Sequence, residues 1–412
     1  MRHTLCGRER RGGQTEGLKS MLYRRFGKGD WEVSILGFGC MRFPTLDGIP
    51  ISENVNVEEA EAMVYHAVDS GINYLDTAYT YHNGRSEVLL GEFLRGGYRE
   101  KVRLATKCPV WLVERSEDFD RFLAEQLARL QTEHIEYYLF HGLNAKRWRA
   151  IRELDLLARA EAAIGDGRIG AIGFSFHDNF PSFKEIVDGY DGWSLCQIQY
   201  NYMDTENQAG TRGLAYAAQK GLAVVVMEPL LGGNLARPPR EIAGIFASFP
   251  QERTPAEWAL LWLWEQPGIS VVLSGMSNMQ QLRENLRTAD LSVTLPLGDE
   301  GYTLIERARR KFAERAAIPC TGCGYCLPCP NGVNIPEIFT LYNNLVMYDD
   351  QLTPRFRYHR FLEEKERASV CAQCGECEEK CPQEINIGEL MPEAHAVLGE
   401  GRAPSAGSPR RP

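Results

Sequence analysis

The run Ile72-Asn73-Tyr74-Leu75-Asp76, followed five residues later by Tyr81, decides how the chain is read. It is short, rich in strand-forming side chains, ends on a carboxylate, and gives way to an amphipathic helical stretch. Comparable runs lie at Val102 to Lys107, Ile135 to His141, Ile169 to Ser175, Leu195 to Gln199, Leu222 to Met227 and Ile269 to Ser274. Short apolar strands alternating with helical segments describe parallel strands joined by crossover helices. Their spacing of roughly 30 to 40 residues between Met21 and Ala317 suits a (β/α)8 TIM barrel better than an open doubly wound sheet. No Gly-x-Gly-x-x-Gly follows the first run, which removes the main support for a Rossmann arrangement. A further hairpin is expected around Val33 to Gly39.

In a parallel barrel all strand C-termini open on one face, where barrel enzymes place their chemistry. Asp76 ends the first run, Lys107 the second and His141 the third, with Tyr81 in the loop beyond Asp76. Four titratable groups are thus expected at one mouth.

Asp76-Thr77-Ala78-x-x-Tyr81, Ala105-Thr106-Lys107 and Tyr138-Leu139-Phe140-His141 together resemble the Asp, Tyr, Lys, His tetrad of the aldo-keto reductases. The stretch from Gly167-Arg168-Ile169 to Gly173-Phe174-Ser175 resembles that family's fourth-strand motif. The resemblance spans residues 21 to 317 and implies an enzyme, an NADP- or NAD-dependent oxidoreductase interconverting a small-molecule aldehyde or ketone with its alcohol. In that role Tyr81 protonates the nascent alkoxide. A free Tyr titrates near ~10; the Lys107 ammonium is expected to lower this, and Asp76 to hold Lys107 charged. His141 orients the substrate oxygen.

The resemblance also implies cofactor contacts. Ser175 and Gln197 match residues that hold the nicotinamide carboxamide, although Phe176 stands where the family has Asn. Met227, in Met227-Glu228-Pro229-Leu230, replaces the aromatic residue that stacks on the ring. Ser274-Gly275-Met276-Ser277, with Gln281, Glu284 and Asn285, matches the segment that binds the adenosine phosphate end, with Glu284 and Asn285 toward the adenine. Many members carry Lys or Arg at the place of Ser277, so NADP against NAD stays open, with Arg283 and Arg287 as substitute cations. Trp111, Phe43 and Tyr200 are candidate linings of the substrate pocket.

Eight of the twelve cysteines form two dense runs: Cys320, Cys323, Cys326 and Cys329 before Pro330, then Cys371, Cys374, Cys377 and Cys381 before Pro382. A thiolate every third residue wraps a backbone loop around an iron–sulfur cubane, and the fourth Cys with its trailing Pro turns toward a second cluster. Two 4Fe-4S clusters are the direct reading. Only Leu327 and Pro328 separate the last pair of the first run, which keeps a single cluster as the alternative. Structural zinc usually pairs two separated Cys-x-x-Cys knuckles, and disulfides need an oxidising compartment, so both fit less well. The stretch between the runs is long enough for two helices; Pro336 suits a first turn, and Ile338, Leu341, Leu345 and Tyr348 recur at helical spacing. This C-terminal part resembles the small α-helical, ferredoxin-like di-cluster domain of iron–sulfur subunits of the succinate dehydrogenase kind. That resemblance implies that Cys381 shares a cluster with Cys320, Cys323 and Cys326, and Cys329 the other with Cys371, Cys374 and Cys377.

The expected organisation is a disordered extension over 1–20, the barrel over 21–317, the iron–sulfur domain over 318–391 and a largely disordered tail over 392–412. A formal charge of -9 argues against nucleic acid or an anionic membrane as main partner. Arg24-Arg25 is followed by Asp30 and Glu32 where an export signal needs an apolar stretch, and no run is long enough to cross a membrane. A soluble, cytoplasmic protein is expected. An oxidoreductase leads over an electron-transfer protein whose barrel docks or senses, because an electron carrier has no use for a proton donor beside a hydride site. The clusters are expected to serve a redox partner protein or to staple the domain.

Overall fold

The computed structural model describes residues 21–292 and 296–404; the expected tails at 1–20 and 405–412 lie outside the described residues. The strands are β1 (Tyr23–Arg25), β2 (Glu32–Ser34), β3 (Leu36–Gly39), β4 (Tyr74–Asp76), β5 (Arg103–Cys108), β6 (Ile135–Leu143), β7 (Ile169–Phe176), β8 (Leu195–Gln199), β9 (Ala223–Met227) and β10 (Ile269–Ser274). β3 to β10 form a closed barrel in chain order, with β10 paired in parallel to both β3 and β9. The expected hairpin is divided: β1 and β2 form it, while Leu36–Gly39 is the first barrel strand. Asp76, Lys107 and His141 therefore belong to the second, third and fourth barrel strands rather than the first three, and Ile169–Phe176 is the fifth.

Register explains why the polar residues meet. Asp76 pairs with Ala105 and Lys107 pairs with Leu139. Each functional residue lies two positions beyond the partner of the one before, and two positions is one pleat period, so Asp76, Lys107 and His141 share the lumen face. Below them Tyr74, Ala105, Tyr137, Leu139, Val225 and Leu273 fill the lumen. Phe26, from the β1–β2 hairpin, plugs the bottom with its ring 4.7 Å from Tyr137 and 5.7 Å from Tyr74. Gly37 leaves room for this packing, since a Cβ there would sit 2.8 Å from Leu273 Cδ2. The barrel is a solid apolar core with a polar top layer.

After the helix Gly298–Glu314 the chain enters a second domain with helices Ile335–Tyr348, Thr353–Arg360 and Ile387–Leu398. The two helices expected between the cysteine runs are present, with Pro336 in the first turn. Ile338, Leu341 and Leu345 are buried in this domain's own core, whereas Tyr348 joins the barrel core instead. The domain does not end at 391: the helix Ile387–Leu398 continues through Pro392 and buries Ala394, Val397 and Leu398. Arg315 fastens the two parts, donating to Met347 O at 2.9 Å and pairing with Asp349 and Glu241, both at 2.7 Å. Asn343 exchanges two hydrogen bonds of 2.8 Å with the Ile318 backbone, and Phe312 packs on Tyr348 with ring centroids 5.0 Å apart. Among the described residues no helix is long and apolar enough to cross a membrane.

Candidate active site and cysteine cavity

Lys107 Nζ donates to Asp76 Oδ1 at 2.6 Å, to Thr77 O at 2.7 Å and to Tyr81 Oη at 3.3 Å. The ion pair is almost wholly out of solvent. Burial works against the Lys107 ammonium, yet Asp76 and Tyr81 together outweigh it and its pKa lies above the ordinary value. Burial likewise raises Asp76, opposed by Lys107. For Tyr81 the outcome departs from the expected lowering: burial raises its pKa by more than Lys107 lowers it. Tyr81 is therefore a protonated donor at neutral pH. His141 completes the tetrad, its ring 6.1 Å from that of Tyr81. Burial, then the Lys107 charge, pushes its pKa well below the imidazole value, so it is neutral.

The backbone after Tyr81 is held under strain. His82 and Asn83 have φ of 50° and 55°, a left-handed conformation that costs such residues on the order of 1–3 kcal/mol. His82 offsets it with two bonds that only the neutral Nδ1–H tautomer satisfies: Nδ1 donates to Ser52 O at 2.6 Å and Nε2 accepts from Phe43 N at 3.2 Å. Beneath Lys107, the buried Glu87 carboxylate accepts from Thr106 Oγ1 at 2.6 Å and pairs with Arg129 at 3.1 Å. Gln126 bridges Glu87 to Lys107 O at 3.2 Å and accepts from Tyr138 Oη at 2.6 Å. These bonds fix the strand end that carries Lys107.

The structure places the expected nicotinamide contacts beside the tetrad. Ser175 Oγ accepts from Gly142 N at 2.7 Å, and Gln197, in register with Ser175, is buried with Oε1 unpartnered. An orphaned buried amide oxygen in the top layer suits a ligand donor such as a carboxamide. Met227 is half-buried at the end of β9, and Leu230 packs partly into the barrel core. Phe176 points into the core against Phe183, so it offers the site nothing. Ser274 and Gly275 follow β10 at the barrel mouth; Ser277 N donates to Gln281 Oε1 at 2.8 Å, at the start of the helix Met279–Leu291. Asn285 is buried and donates to Ser274 Oγ at 3.0 Å, while Glu284 accepts from Gln280. Arg283 and Arg287 are both exposed on that helix, and Arg287 is committed to Glu257 at 2.8 Å.

Of the three candidate pocket aromatics, only Trp111 reaches the site, with its ring 4.9 Å from His141. Phe43 is buried against His82 and Phe93, and Tyr200 is buried on Trp262. Two cations were not legible beforehand. Arg42 runs across Gly275, whose Cβ would lie 3.1 Å from Arg42 Cδ, and its guanidinium reaches toward Gly232. Arg147 lies over Trp111 at 5.1 Å. A cation following a strand end was the available signal for Arg42.

Cys320, Cys323, Cys326 and Cys381 line one cavity, walled by Ile335, Phe339 and Ile385. Burial, and then the neighbouring thiols, raise Cys320 and Cys326 beside Cys323 and Cys381, and burial raises Cys377 near Cys371 and Cys329. Gly324 and Gly375, at φ of 77° and 80°, turn the two loops in a conformation glycine favours. Among the described residues no three His, Cys, Asp or Glu side chains converge as a single metal ion would need. Four thiols spread around an apolar cavity instead fit a cage.

A closed parallel barrel with this buried Asp–Lys–Tyr–His layer at its C-terminal mouth defines a barrel oxidoreductase. Residues 35–308 match the aldo/keto reductase family, and the chain belongs to it. Residues 319–386 match the 4Fe-4S dicluster domain, so the C-terminal part is an iron–sulfur domain. The chain is 26% identical over 299 residues to the uncharacterized oxidoreductase C215.11c of Schizosaccharomyces pombe, covering 70% of this chain and 92% of that protein. It is 26% identical over 302 residues to the uncharacterized oxidoreductase YqkF of Bacillus subtilis, covering 66% and 92%. In fold it is similar to the holo form of an aldo-keto reductase from Bacillus halodurans, at 24% identity and a TM-score of 0.56, over 70% of this chain and 96% of that one.

Proposed function

We propose that the barrel interconverts the carbonyl group of a small aldehyde or ketone with the alcohol, using NADPH or NADH. The observation that carries this is the Lys107 ammonium, held 2.6 Å from Asp76 and 3.3 Å from the Tyr81 hydroxyl. Bound over the top layer, a nicotinamide cofactor supplies the hydride. Tyr81 gives its proton to the oxygen that becomes an alkoxide, and Lys107 stabilises the phenolate left behind. Asp76 keeps Lys107 charged and aimed. Neutral His141 orients the carbonyl oxygen. Ser175, Gln197, Met227 and Leu230 hold the nicotinamide end. Ser274, Gly275, Ser277, Gln281, Glu284 and Asn285 hold the adenosine end, and Arg42 offers a cation to its phosphates.

In the second domain the same proposal assigns two 4Fe-4S clusters, one on Cys320, Cys323, Cys326 and Cys381 and the other on Cys329, Cys371, Cys374 and Cys377. A nicotinamide gives up two electrons as one hydride while a cluster ordinarily takes one at a time, so the barrel works without electrons from the clusters. The clusters brace their domain or serve a separate redox partner protein. Free buried thiols at Cys40, Cys108 and Cys196 suit the reducing cytoplasm.

The test is anaerobic oxidation of NADPH and of NADH by the intact protein with a series of aldehydes, followed by rapid mixing in the visible range. Carbonyl-dependent turnover without cluster bleaching is the expected result. Cluster bleaching at the rate of turnover, with no flavin added, would overturn the separation of the two chemistries.

A further inference from the structure

We propose that Arg147 recognises a carboxylate on the substrate, so that the barrel acts on carbonyl compounds carrying an acid group. The inference rests on the carbonyl reading above and names its substrate class.

Arg147 belongs to the helix Ala145–Glu153, capped by Asn144, whose side chain accepts from Arg147 N at 2.8 Å. Its guanidinium lies over the Trp111 ring, which in turn lies against His141. One amino group donates to Gly142 O. Among the described residues Arg147 forms no ion pair, and its remaining donors have no partner. Asp178, on the neighbouring loop, is occupied by the backbone N–H groups of Ala145 at 2.9 Å and Asn179 at 2.7 Å. With no protein carboxylate paired to it, the planar guanidinium fork matches an incoming carboxylate.

The second observation is the neighbour. His177 is exposed and shares the space over Gly142 with Arg147: a Cβ there would lie 2.7 Å from Arg147 Nη1 and 3.9 Å from His177 Cδ2. Arg147 and the His177 imidazole therefore stand side by side over Gly142, next to His141 on the same strand. Trp111, 42% exposed, offers an aromatic wall between the carbonyl position and Arg147, suited to a flat or short apolar spacer.

The test compares 4-carboxybenzaldehyde with 4-methylbenzaldehyde, using the full chain with its clusters intact. The wild type is expected to favour the acid by about tenfold or more in kcat/KM. Arg147→Gln should lose at least about tenfold more on the acid than on the neutral aldehyde, the pattern of a site built to pair a polar group. Equal losses on both aldehydes, or no wild-type preference, overturn the proposal. If neither aldehyde is reduced, the carbonyl reading is what fails, and calorimetric titration decides the anion site separately. Benzoate bound more tightly than benzamide, and at least about tenfold weaker in Arg147→Gln, supports the site; no discrimination removes it.

Discussion

Asp76 and Lys107 stand on adjacent barrel strands whose register pairs Asp76 with Ala105, and the two-residue offset sets Nζ 2.6 Å from Oδ1. The pair lies among apolar walls, so neither charge survives alone. Lys107→Met is expected to destabilise the fold by about 3–5 kcal/mol, because it leaves the Asp76 carboxylate buried and unpaired. Asp76→Leu combined with Lys107→Met should recover much of that stability without restoring turnover. Denaturant titration of the two variants checks this, and a double variant as unstable as the single one would show that the charges are not coupled.

Tyr81→Phe should keep nicotinamide binding and lose roughly 10²- to 10⁴-fold in turnover. Because burial holds the hydroxyl protonated above its ordinary range, reduction by the wild type should show no loss from Tyr81 ionisation below about pH 10. Unchanged turnover in the variant would remove Tyr81 from the mechanism.

His141 and His82 both titrate below the ordinary imidazole value, mainly because burial disfavours their charged forms. Unfolding frees them to bind protons at about pH 6.5, so below that pH the unfolded chain binds more protons and stability falls with pH. Stability from these residues is complete above about pH 6.5 and is lost toward their folded values. Denaturation midpoints between pH 7 and 5 should fall less steeply in His141→Gln than in the wild type. Identical slopes would mean that His141 is charged in the folded protein.

Protein purified without oxygen should carry about eight iron and eight sulfide per chain if both cubanes form. Cys320 and Cys381 line the same cavity, so on the proposed ligand sets replacing both together should leave about four of each. Loss of all the iron in that double variant would mean that Cys320 and Cys381 serve different clusters.

The parts of the fold legible in the sequence are those where residue type reports position. Asp76, Lys107 and His141 could be placed at strand ends because a polar residue closing an apolar run marks a barrel mouth. Leu36–Gly39 was missed as a barrel strand because two of its four residues are glycines, which dilute the strand signal. The domain boundary expected at 391 falls inside the helix Ile387–Leu398, which tolerates Pro392 in its interior. Aromatic burial was not legible either: Trp111, Phe43 and Tyr200 look alike in sequence, and only packing sends Trp111 to the surface. Arg147 was invisible because its meaning lies in having no acid beside it.

Tyr348 sits on a helix whose other face packs the iron–sulfur core, yet its ring belongs to the barrel. If the proposed clusters brace the second domain, iron supply bears on the stability of the barrel. A chain made under iron starvation is then expected to lose the scaffold that positions Tyr348, and with it the cover over Phe312. Hydrogen exchange along Gly298–Glu314 should then quicken in the apo protein, and degradation should remove it. Such a cell would lose the reductase along with the metal.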